Sequence, residues 1–197
     1  MSRLLVVLSV LALAWPGLAA AASQNVADLP AGTYVLDKKH ASVTAKVMHL
    51  GVSLYTLRFD AFDAGFTYDP AHPEAAQVKA TVDTTSMDVG AAYGRKFADQ
   101  FLDADKFPTM TFVSTAIHPG PEGKPGTMEG DLALRGVTRP VTFDVTFRGV
   151  GRGLFFGTVT GFSAAATIKR SDFGSSNLRN WVGDDVRIEI EAEFDKK

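Results

Sequence analysis

The sequence contains no cysteine among its 197 residues. Disulfide bonds, catalytic thiols and cysteine-ligated metal sites are therefore excluded. The chain also lacks a strong charge of either sign, because 20 basic and 22 acidic residues give a formal net charge of -2. Without a basic patch there is no electrostatic footprint for nucleic acid, and without a polybasic run nothing favours an anionic membrane surface. A nucleic-acid partner is therefore not expected.

Long apolar runs are absent after Ser23, and the single run near the start is short. Arg3 precedes an apolar stretch at residues 4–14, which a Trp-Pro-Gly break and three alanines at 20–22 follow. A charged, an apolar and a small-residue region in this order are typical of a secretory signal peptide. The stretch has about 11 residues, whereas a helix across ~30 Å of hydrocarbon needs about 20. We expect a signal peptide at 1–22, a periplasmic mature chain and no integral membrane segment after cleavage; the alternative is an uncleaved N-terminal membrane anchor.

Alternation of apolar and polar residues is the main structural signal in residues 23–197, which we expect to form a single domain. Turn residues recur roughly every 8 to 14 positions, a spacing typical of an all-β sandwich or barrel. Alternation fails at residues 86–105, where Phe97, Phe101 and Leu102 stand at roughly helical spacing and predict one short helix. About eight antiparallel strands are expected from the remaining pattern. Strand-like runs occur at 33–36, 43–47, 54–68 with a bend between Phe59 and Phe62, 78–82, 110–114, 130–134, 141–147, 156–168 and 186–194.

Two of these runs present strongly apolar faces. Eight strands form the smallest barrel that either fills itself with side chains or holds one small ligand, and the pattern alone does not separate a barrel from a sandwich. The apolar faces are equally open to two interpretations, because they suit an ordinary core or a cavity in which alanines beside phenylalanines leave volume for an apolar guest. The 14 phenylalanines, against 4 tyrosines and 2 tryptophans, are compatible with both. The faces consist of Val141, Phe143, Val145 and Phe147 in one run, and of Phe162, Ala164, Ala166 and Ile168 in the other.

The histidines do not form a recognisable metal site or catalytic site. His40 and His49 lie nine positions apart, nearly 30 Å in an extended chain, and no acidic cluster in the sequence joins either of them. Asp37, His40 and Ser42 are close in sequence, but on a regular strand His40 and Ser42 share a face without Asp37. A nucleophile elbow of the Gly-x-Ser-x-Gly type is absent. We therefore expect no metal, no cofactor and no catalytic residue.

The string Lys169-Arg170-Ser171-Asp172-Phe173-Gly174 is the most distinctive local feature. Arg170 and Asp172 could form an ion pair that holds the following loop over one end of a barrel. Alternatively, Arg170 could face an anionic head group, because guanidinium binds phosphate in a bidentate manner. We favour the structural role.

Several strings together resemble the YceI-like family of lipid-binding proteins. The paired histidine signatures are represented by His-Ala-Ser at 40–42 and His-Leu-Gly at 49–51, and an aromatic stretch by Phe-Asp-Ala-Phe at 59–62. The Phe-rich passage corresponds to residues 101–112, and the Gly-x-Leu-x-x-x-Gly-Val-Thr-x-Pro-Val passage is matched in full by residues 130–141. The matches extend over residues 32–194 in the same order. Many members carry Arg-Asp-x-His-Leu before the Phe-rich passage, where this chain reads Ala-Tyr-Gly-Arg-Lys at 92–96.

The resemblance implies an all-β fold, an extended antiparallel lipocalin-like β-barrel of about eight strands with one short helix. It also implies an elongated cavity for a long apolar lipid such as a polyisoprenoid, and a periplasmic or secreted location. The expected function is a binding or carrier protein for an isoprenoid, an isoprenoid quinone or a similar lipid. The alternatives are an enzyme acting on a lipid or quinone through His40 or His49, and a packed structural or stress-related barrel without ligand. The oligomeric state is open, a homodimer included.

The ligand-binding residues are predicted from strand parity and aromatic content. Inward-facing side chains are expected to contact the apolar tail, and basic side chains to lie near the polar end of the ligand. The predicted tail contacts are Val47, His49, Phe59, Phe62, Phe112, Phe143, Phe147, Phe162 and Trp181, and the predicted polar-end residues are Arg95, Lys96 and Arg170.

Overall fold

The computed structural model describes residues 22–90, 92–121, 124–153 and 157–197 of the chain. Ten strands and one α-helix are present in this part of the molecule, together with short 3-10 helices. The predicted signal peptide lies outside the described residues, except for Ala22. The strands are β1 (Gly32–His49), β2 (Ser53–Phe59), β3 (Phe62–Tyr68), β4 (Gln77–Asp83), β5 (Met87–Asp88), β6 (Thr109–His118), β7 (Gly126–Leu134), β8 (Val137–Arg152), β9 (Thr158–Lys169) and β10 (Val182–Lys196), and the helix is α1 (Gly94–Leu102).

The strands form one antiparallel sheet that closes on itself. Its order is β10-β9-β8-β7-β6-β4-β3-β1-β2-β5, and an additional pairing of β10 with β1 closes the ring. Because β2 continues the line of β3 along the same edge of β1, and β5 only extends β2, the ring has eight strand positions. The predicted barrel of about eight strands is confirmed, and the sandwich alternative is wrong.

The bend predicted between Phe59 and Phe62 is confirmed. β2 ends at Phe59, β3 begins at Phe62, and both pair with β1. On its other edge β1 carries a bulge, since Leu36 pairs with Phe194 and Ala41 with Ala192. Residues 37–40, which we call the polar corner, therefore stand opposite Glu193 alone. Bulges of this kind increase local twist and help a sheet to curve into a barrel.

The connections divide the barrel into two ends. The end that we call the helix end carries the β1–β2 turn, helix α1 in the connection between β5 and β6, and the β9–β10 connection at 170–181. The opposite end, which we call the loop end, carries the N-terminal segment at 22–31 and the loop at 69–76, and at this end β6 and β8 finish and β7 and β9 begin. The single predicted short helix is confirmed at Gly94–Leu102, within the stretch where alternation fails.

Some predicted strand limits differ from those observed. The runs predicted at 33–36 and 43–47 belong to one long strand, because β1 continues through the bulge at the polar corner. The run predicted to begin at Phe156 begins at Thr158, and Phe156 itself lies outside the described residues. Within the described ranges, helices of the length and apolarity needed to traverse a bilayer are not found.

Candidate ligand cavity

The barrel encloses an elongated apolar cavity of about 990 Å³. This volume is at the upper end of the ~300–1,000 Å³ range of small-molecule sites. Nearly every strand contributes to the wall through alternate residues, since successive side chains of a strand point to opposite faces. On β10, for example, Ile188, Ile190 and Ala192 line the cavity, whereas Arg187 and Glu189 form an ion pair at 2.8 Å on the outer face.

The cavity extends along most of the barrel axis. Val186 near the helix end and Phe194 near the loop end both line it on the same strand. Eight residues of extended chain correspond to roughly 26 Å. With the usual strand tilt of 35–45° this gives about 20 Å along the axis, which is a long, narrow shape.

Small residues next to large rings create the open volume. Ala80, Ala164 and Ala192 lie on the wall, each on a different strand. Gly130 allows the Phe112 ring to lie against β7, because a Cβ at this glycine would come within 2.3 Å of the ring. The Phe112 ring in turn meets Phe143 edge-on, with ring centroids 5.2 Å apart.

The loop end of the barrel is packed with aromatic rings. Tyr34 is fully buried and stacks on Phe66 at a centroid distance of 4.6 Å. Its hydroxyl donates a hydrogen bond of 2.6 Å to the carbonyl oxygen of Pro30. Burial raises the pKa of the Tyr34 phenol above its usual value, so this group stays a neutral donor. Phe162 and Phe194 meet Phe66 edge-on, at 5.6 and 5.0 Å.

At the helix end the cavity wall contains a buried cation, Arg170, which is only 7 % exposed. Its guanidinium donates hydrogen bonds to the carbonyl oxygens of Gly183, Ser175 and Val182 at 2.8, 3.0 and 2.8 Å. It also lies over the Phe101 ring of α1, 5.7 Å from the centroid. Burial lowers the pKa of Arg170, while the charge of Asp184 opposes this shift. In the described part of the chain, none of its hydrogen-bond acceptors is a carboxylate.

Helix α1 covers this end of the barrel and is held at its C-terminus. Phe97, Phe101 and Leu102 of the helix line the cavity. The last carbonyl groups of a helix have no partner within it. Here Arg135 donates to the carbonyl oxygen of Phe101 at 3.1 Å, and Asn177 donates to that of Gln100. The two bonds join the helix to the β7–β8 turn and to the β9–β10 connection.

Comparison with known proteins identifies the family. The family model of the YceI-like domain matches residues 34–194. The chain belongs to the YceI-like family. Among its relatives, the UPF0312 protein of Pseudomonas putida strain W619 is 41 % identical over 148 residues, which cover 73 % of this chain and 77 % of the relative. A UPF0312 protein of Vibrio cholerae is 40 % identical over 166 residues, 82 % of this chain and 87 % of the relative.

Solved structures share the YceI-like barrel. BcnA of Burkholderia cenocepacia superposes with a TM-score of 0.72 at 26 % identity, over 80 % of this chain and 98 % of BcnA. The YCEI protein of Campylobacter jejuni gives a TM-score of 0.64 at 28 % identity, over 77 % and 91 % of the two chains. A polyisoprenoid binding domain from Saccharophagus degradans gives a TM-score of 0.61 at 16 % identity, over 83 % and 98 %, and shows the common fold.

In this YceI-like barrel, nine of the twelve predicted site residues lie on the cavity wall. Their role in binding a ligand stays a prediction, but the parity argument places them correctly around one volume. They are Val47, His49, Phe59, Phe62, Phe112, Phe143, Phe147, Phe162 and Arg170.

Three predicted site residues lie elsewhere, and their expected placement is wrong. Trp181 is 61 % exposed, because it belongs to a turn that begins at Leu178 with φ 53°, where strand parity does not apply. Arg95 is exposed and forms an ion pair with Asp105 on the outer side of α1. Lys96, its neighbour, is exposed as well. Neither basic residue lines the cavity among the described residues.

The predicted Arg170–Asp172 ion pair is also wrong. The Arg170 guanidinium points to backbone carbonyl groups, whereas the Asp172 carbonyl accepts a hydrogen bond from Arg139 at 3.4 Å. It is Asp184 that holds this turn, since its carboxylate accepts from the amide and the hydroxyl of Ser171 at 2.9 and 2.7 Å. These bonds lower the pKa of Asp184, the hydroxyl bond most.

Sequence reasoning missed a polar cluster on the outer face. The bulge of β1 brings Asp37 within 2.8 Å of His40 and places Glu193 at 3.7 Å. The expectation that no acidic residues join His40 is therefore wrong. One ligand atom from each of the three side chains lies within 4.8 Å of the others, so the described residues contain this one group with the spacing of metal ligands. The Asp37–His40 hydrogen bond is sufficient to explain why these side chains lie together, so a bound metal ion is not needed.

Proposed function

We propose that this YceI-like protein is a periplasmic carrier that holds a long apolar lipid, an isoprenoid, isoprenoid quinone or similar molecule, inside its barrel. The observation that most directly supports this proposal is the cavity of about 990 Å³, which is lined by aliphatic and aromatic side chains along most of the barrel. This open volume contradicts the alternative of a barrel filled by its own side chains. A hydrocarbon chain in the cavity would gain ~25 cal/mol for each Å² of apolar surface removed from water.

Arg170 is the candidate for contact with the polar end of the lipid. It is the buried cation of the cavity wall, and it lies at the helix end, away from the aromatic rings of the loop end. A buried cation without a carboxylate partner is costly, so a polar or anionic head group beside it would be stabilised. Arg95 and Lys96 lie outside the cavity wall, so Arg170 is proposed for this role in preference to them.

The positions of His40 and His49 favour ligand binding without chemical turnover. His49 lines the cavity next to the Tyr55 ring, at a centroid distance of 6.1 Å. Within the described residues no hydrogen-bond partner orients it, as an acid-base catalyst would require. His40 has such a partner in Asp37, but it lies on the outer face.

Export through the predicted signal peptide supports the periplasmic location. Ser23, the residue after the expected cleavage point, already belongs to the barrel. Its amide and carbonyl groups exchange hydrogen bonds of 2.8 and 2.9 Å with Val150. Cleavage before Ser23 would leave this pairing with the barrel intact. Determination of the N-terminus in the host's periplasmic fraction tests this point.

The ligand is tested by purifying the protein from its own host and identifying the bound molecule by mass spectrometry. We expect a lipid with a prenyl or similar chain at near one molecule per protein. Ala164→Phe, which adds a ring to the cavity wall, is expected to reduce lipid retention at least about tenfold, because filled volume excludes the chain. The matched control is Thr167→Phe, on the outer face of the same strand, which should retain the lipid. Equal retention by both variants, or protein that is empty as isolated, would contradict the proposal.

A further inference from the structure

Exposed apolar side chains are concentrated at one end of the molecule. The described residues include nine large apolar side chains that are exposed, and eight of them lie at the helix end. The ninth, Val113, lies on the outer wall in the middle of β6. Single exposed apolar residues are ordinary, but a contiguous group marks an interaction site. The eight are Met48, Leu50, Val52, Leu54, Tyr55, Tyr93, Leu178 and Trp181.

Most of these side chains belong to two segments that touch each other. The β1–β2 turn is one segment, with Val52 81 % exposed at its tip. The β9–β10 connection is the other, and the amide of Leu50 donates a 2.7 Å hydrogen bond to the carbonyl oxygen of Trp181. Met48 pairs with Leu54 on the outer face of the hairpin, directly below its tip. We call Met48, Leu50, Val52, Leu54, Leu178 and Trp181 the apolar rim.

The apolar rim is continuous with the cavity wall. His49 and Tyr55 line the cavity, and each lies next to a rim residue in the same hairpin. Leu178 belongs to both the rim and the wall, and Val182 follows Trp181 into the cavity. An apolar molecule that leaves the cavity at this point therefore meets an apolar surface before it meets water.

The hairpin half of the rim carries no formal charge. The segment from Met48 to Leu57 contains no lysine, arginine, aspartate or glutamate, and Val52 at its tip is 81 % exposed. In the other half, exposed Arg179 lies between Leu178 and Trp181. Protruding apolar side chains beside an exposed tryptophan fit the boundary between head groups and acyl chains of a bilayer, where tryptophan is enriched. A flat, self-complementary face would instead be needed for a second copy of the chain.

We propose that the apolar rim docks the helix end of the barrel onto the interface of a lipid bilayer, so that the cavity opens toward the membrane from which it takes or to which it gives its lipid. This proposal rests on the proposed function, since it names the surface through which the lipid moves. The rim residues themselves are apolar, and Arg179 adds a cation between two of them. Partition onto vesicles is therefore expected to weaken only modestly from low to high salt.

The test uses vesicles of phosphatidylethanolamine and phosphatidylglycerol with the exported, processed protein. The depth of Trp181 can be measured directly, because brominated acyl chains quench a tryptophan that enters the interface. The other tryptophan of the sequence, Trp15, belongs to the predicted signal peptide, which the processed protein lacks. We expect quenching of Trp181, and at least about tenfold weaker vesicle partition for the double variant Val52→Ser, Leu54→Ser. Val113→Ser, which removes the exposed apolar side chain remote from the rim, is the matched control and should partition like the wild type.

Two further measurements separate the outcomes. Retention of a fluorescent prenyl probe supplied in detergent-free solution should be the same in the rim variant and the wild type, so a failure of docking is distinguished from a failure of lipid binding. The proposal is overturned if Trp181 is not quenched, or if the rim variant partitions like the wild type. A wild-type dimer that the rim variant converts to a monomer, without vesicle binding by either, would assign the rim to contact between copies.

Discussion

The two ends of the barrel are held together by different interactions. At the loop end, the rings of Tyr34, Phe66 and Phe194 pack against one another and are buried. At the helix end, hydrogen bonds from Arg170, Arg135 and Asn177 to backbone carbonyl groups hold the helix and the connections in place. Buried apolar residues such as Met87, Val89 and Ala98 also lie beneath the helix, but other large apolar side chains at this end are exposed.

This difference implies that the loop end contributes more to stability, whereas the helix end opens more easily. Aromatic packing involves large buried areas and tolerates little change in shape, so the loop end is suited to a fixed structure. Hydrogen bonds from a few side chains can break one at a time, and a region held in this way opens locally at a lower free energy than the core. This contrast fits the proposed passage of a lipid at the helix end while the rest of the barrel stays folded.

Truncation of the fully buried tyrosine should have the largest effect on stability. Tyr34→Ala removes a stacked ring and leaves a cavity, which is expected to lower the free energy of unfolding by about 4 kcal/mol. Tyr34→Phe removes only the hydrogen bond to Pro30 and should cost about 1 kcal/mol. Urea unfolding of both variants measures the two values. If Tyr34→Ala destabilises no more than Tyr34→Phe, the loop end does not carry the stability that its packing implies.

Removal of the buried Arg170 guanidinium should lower the free energy of unfolding somewhat less than Tyr34→Ala does. It should act at the helix end of the barrel. Arg170→Met fills similar volume but leaves the carbonyl groups of Ser175, Val182 and Gly183 without their donors, an expected loss of about 3 kcal/mol. Arg170→Lys keeps the charge but not the planar fork, so it should recover less than half of this loss. Hydrogen exchange should show faster opening of α1 in both variants, with little change at Tyr34 and Phe66. Uniformly faster exchange at both ends would contradict the contrast.

Much of the barrel and its wall is predictable from the sequence, because residues 141–147 of β8 and 162–168 of β9 alternate regularly. Strand parity and aromatic content predict Phe143, Phe147 and Phe162 on the cavity wall, and they lie there. The closed ring was not predictable in this way. Alternation reports which face a residue occupies, whereas closure depends on the pairing of β1 with β10, which are far apart in sequence. The family resemblance, rather than the alternation, separated barrel from sandwich.

The predictions that were wrong have local physical causes. Trp181 follows Leu178, whose φ of 53° turns the chain before β10 begins, so its position could not be read from strand parity. The bulge of β1 reversed another expectation, because it brings Asp37 onto the same side as His40. Its position depends on the register with Glu193, which only the folded sheet defines. Arg95 was expected near the ligand because of its charge, but Asp105 neutralises it on the surface.

The polar corner lies between the two ends, on the outer face of the barrel. Substitutions there should change the free energy of unfolding least. The hydrogen bond with Asp37 raises the pKa of His40, and the charges of Asp37 and Glu193 act in the same direction, while burial and Lys39 oppose it slightly. A raised folded-state pKa means that the contribution to stability is complete below the unfolded-state pKa of ~6.5 and is lost as the pH rises through the folded-state value. Conversely, the hydrogen bond from His40 lowers the pKa of Asp37, so its contribution is present above the usual carboxyl pKa and is lost in acid.

The effect of His40→Gln should therefore depend on pH in a defined direction. Urea midpoints of the wild type and the variant are expected to differ more at pH ~5.5 than at pH ~9, because only protonated His40 is held by the two carboxylates. The difference should shrink in high salt, since the cluster is exposed to solvent. Lys38→Gln is a suitable control, because it removes a neighbouring exposed ion pair, with Asp63, that involves no histidine. A His40→Gln effect that is constant with pH would mean that the corner contributes through packing within the bulge rather than through its charges.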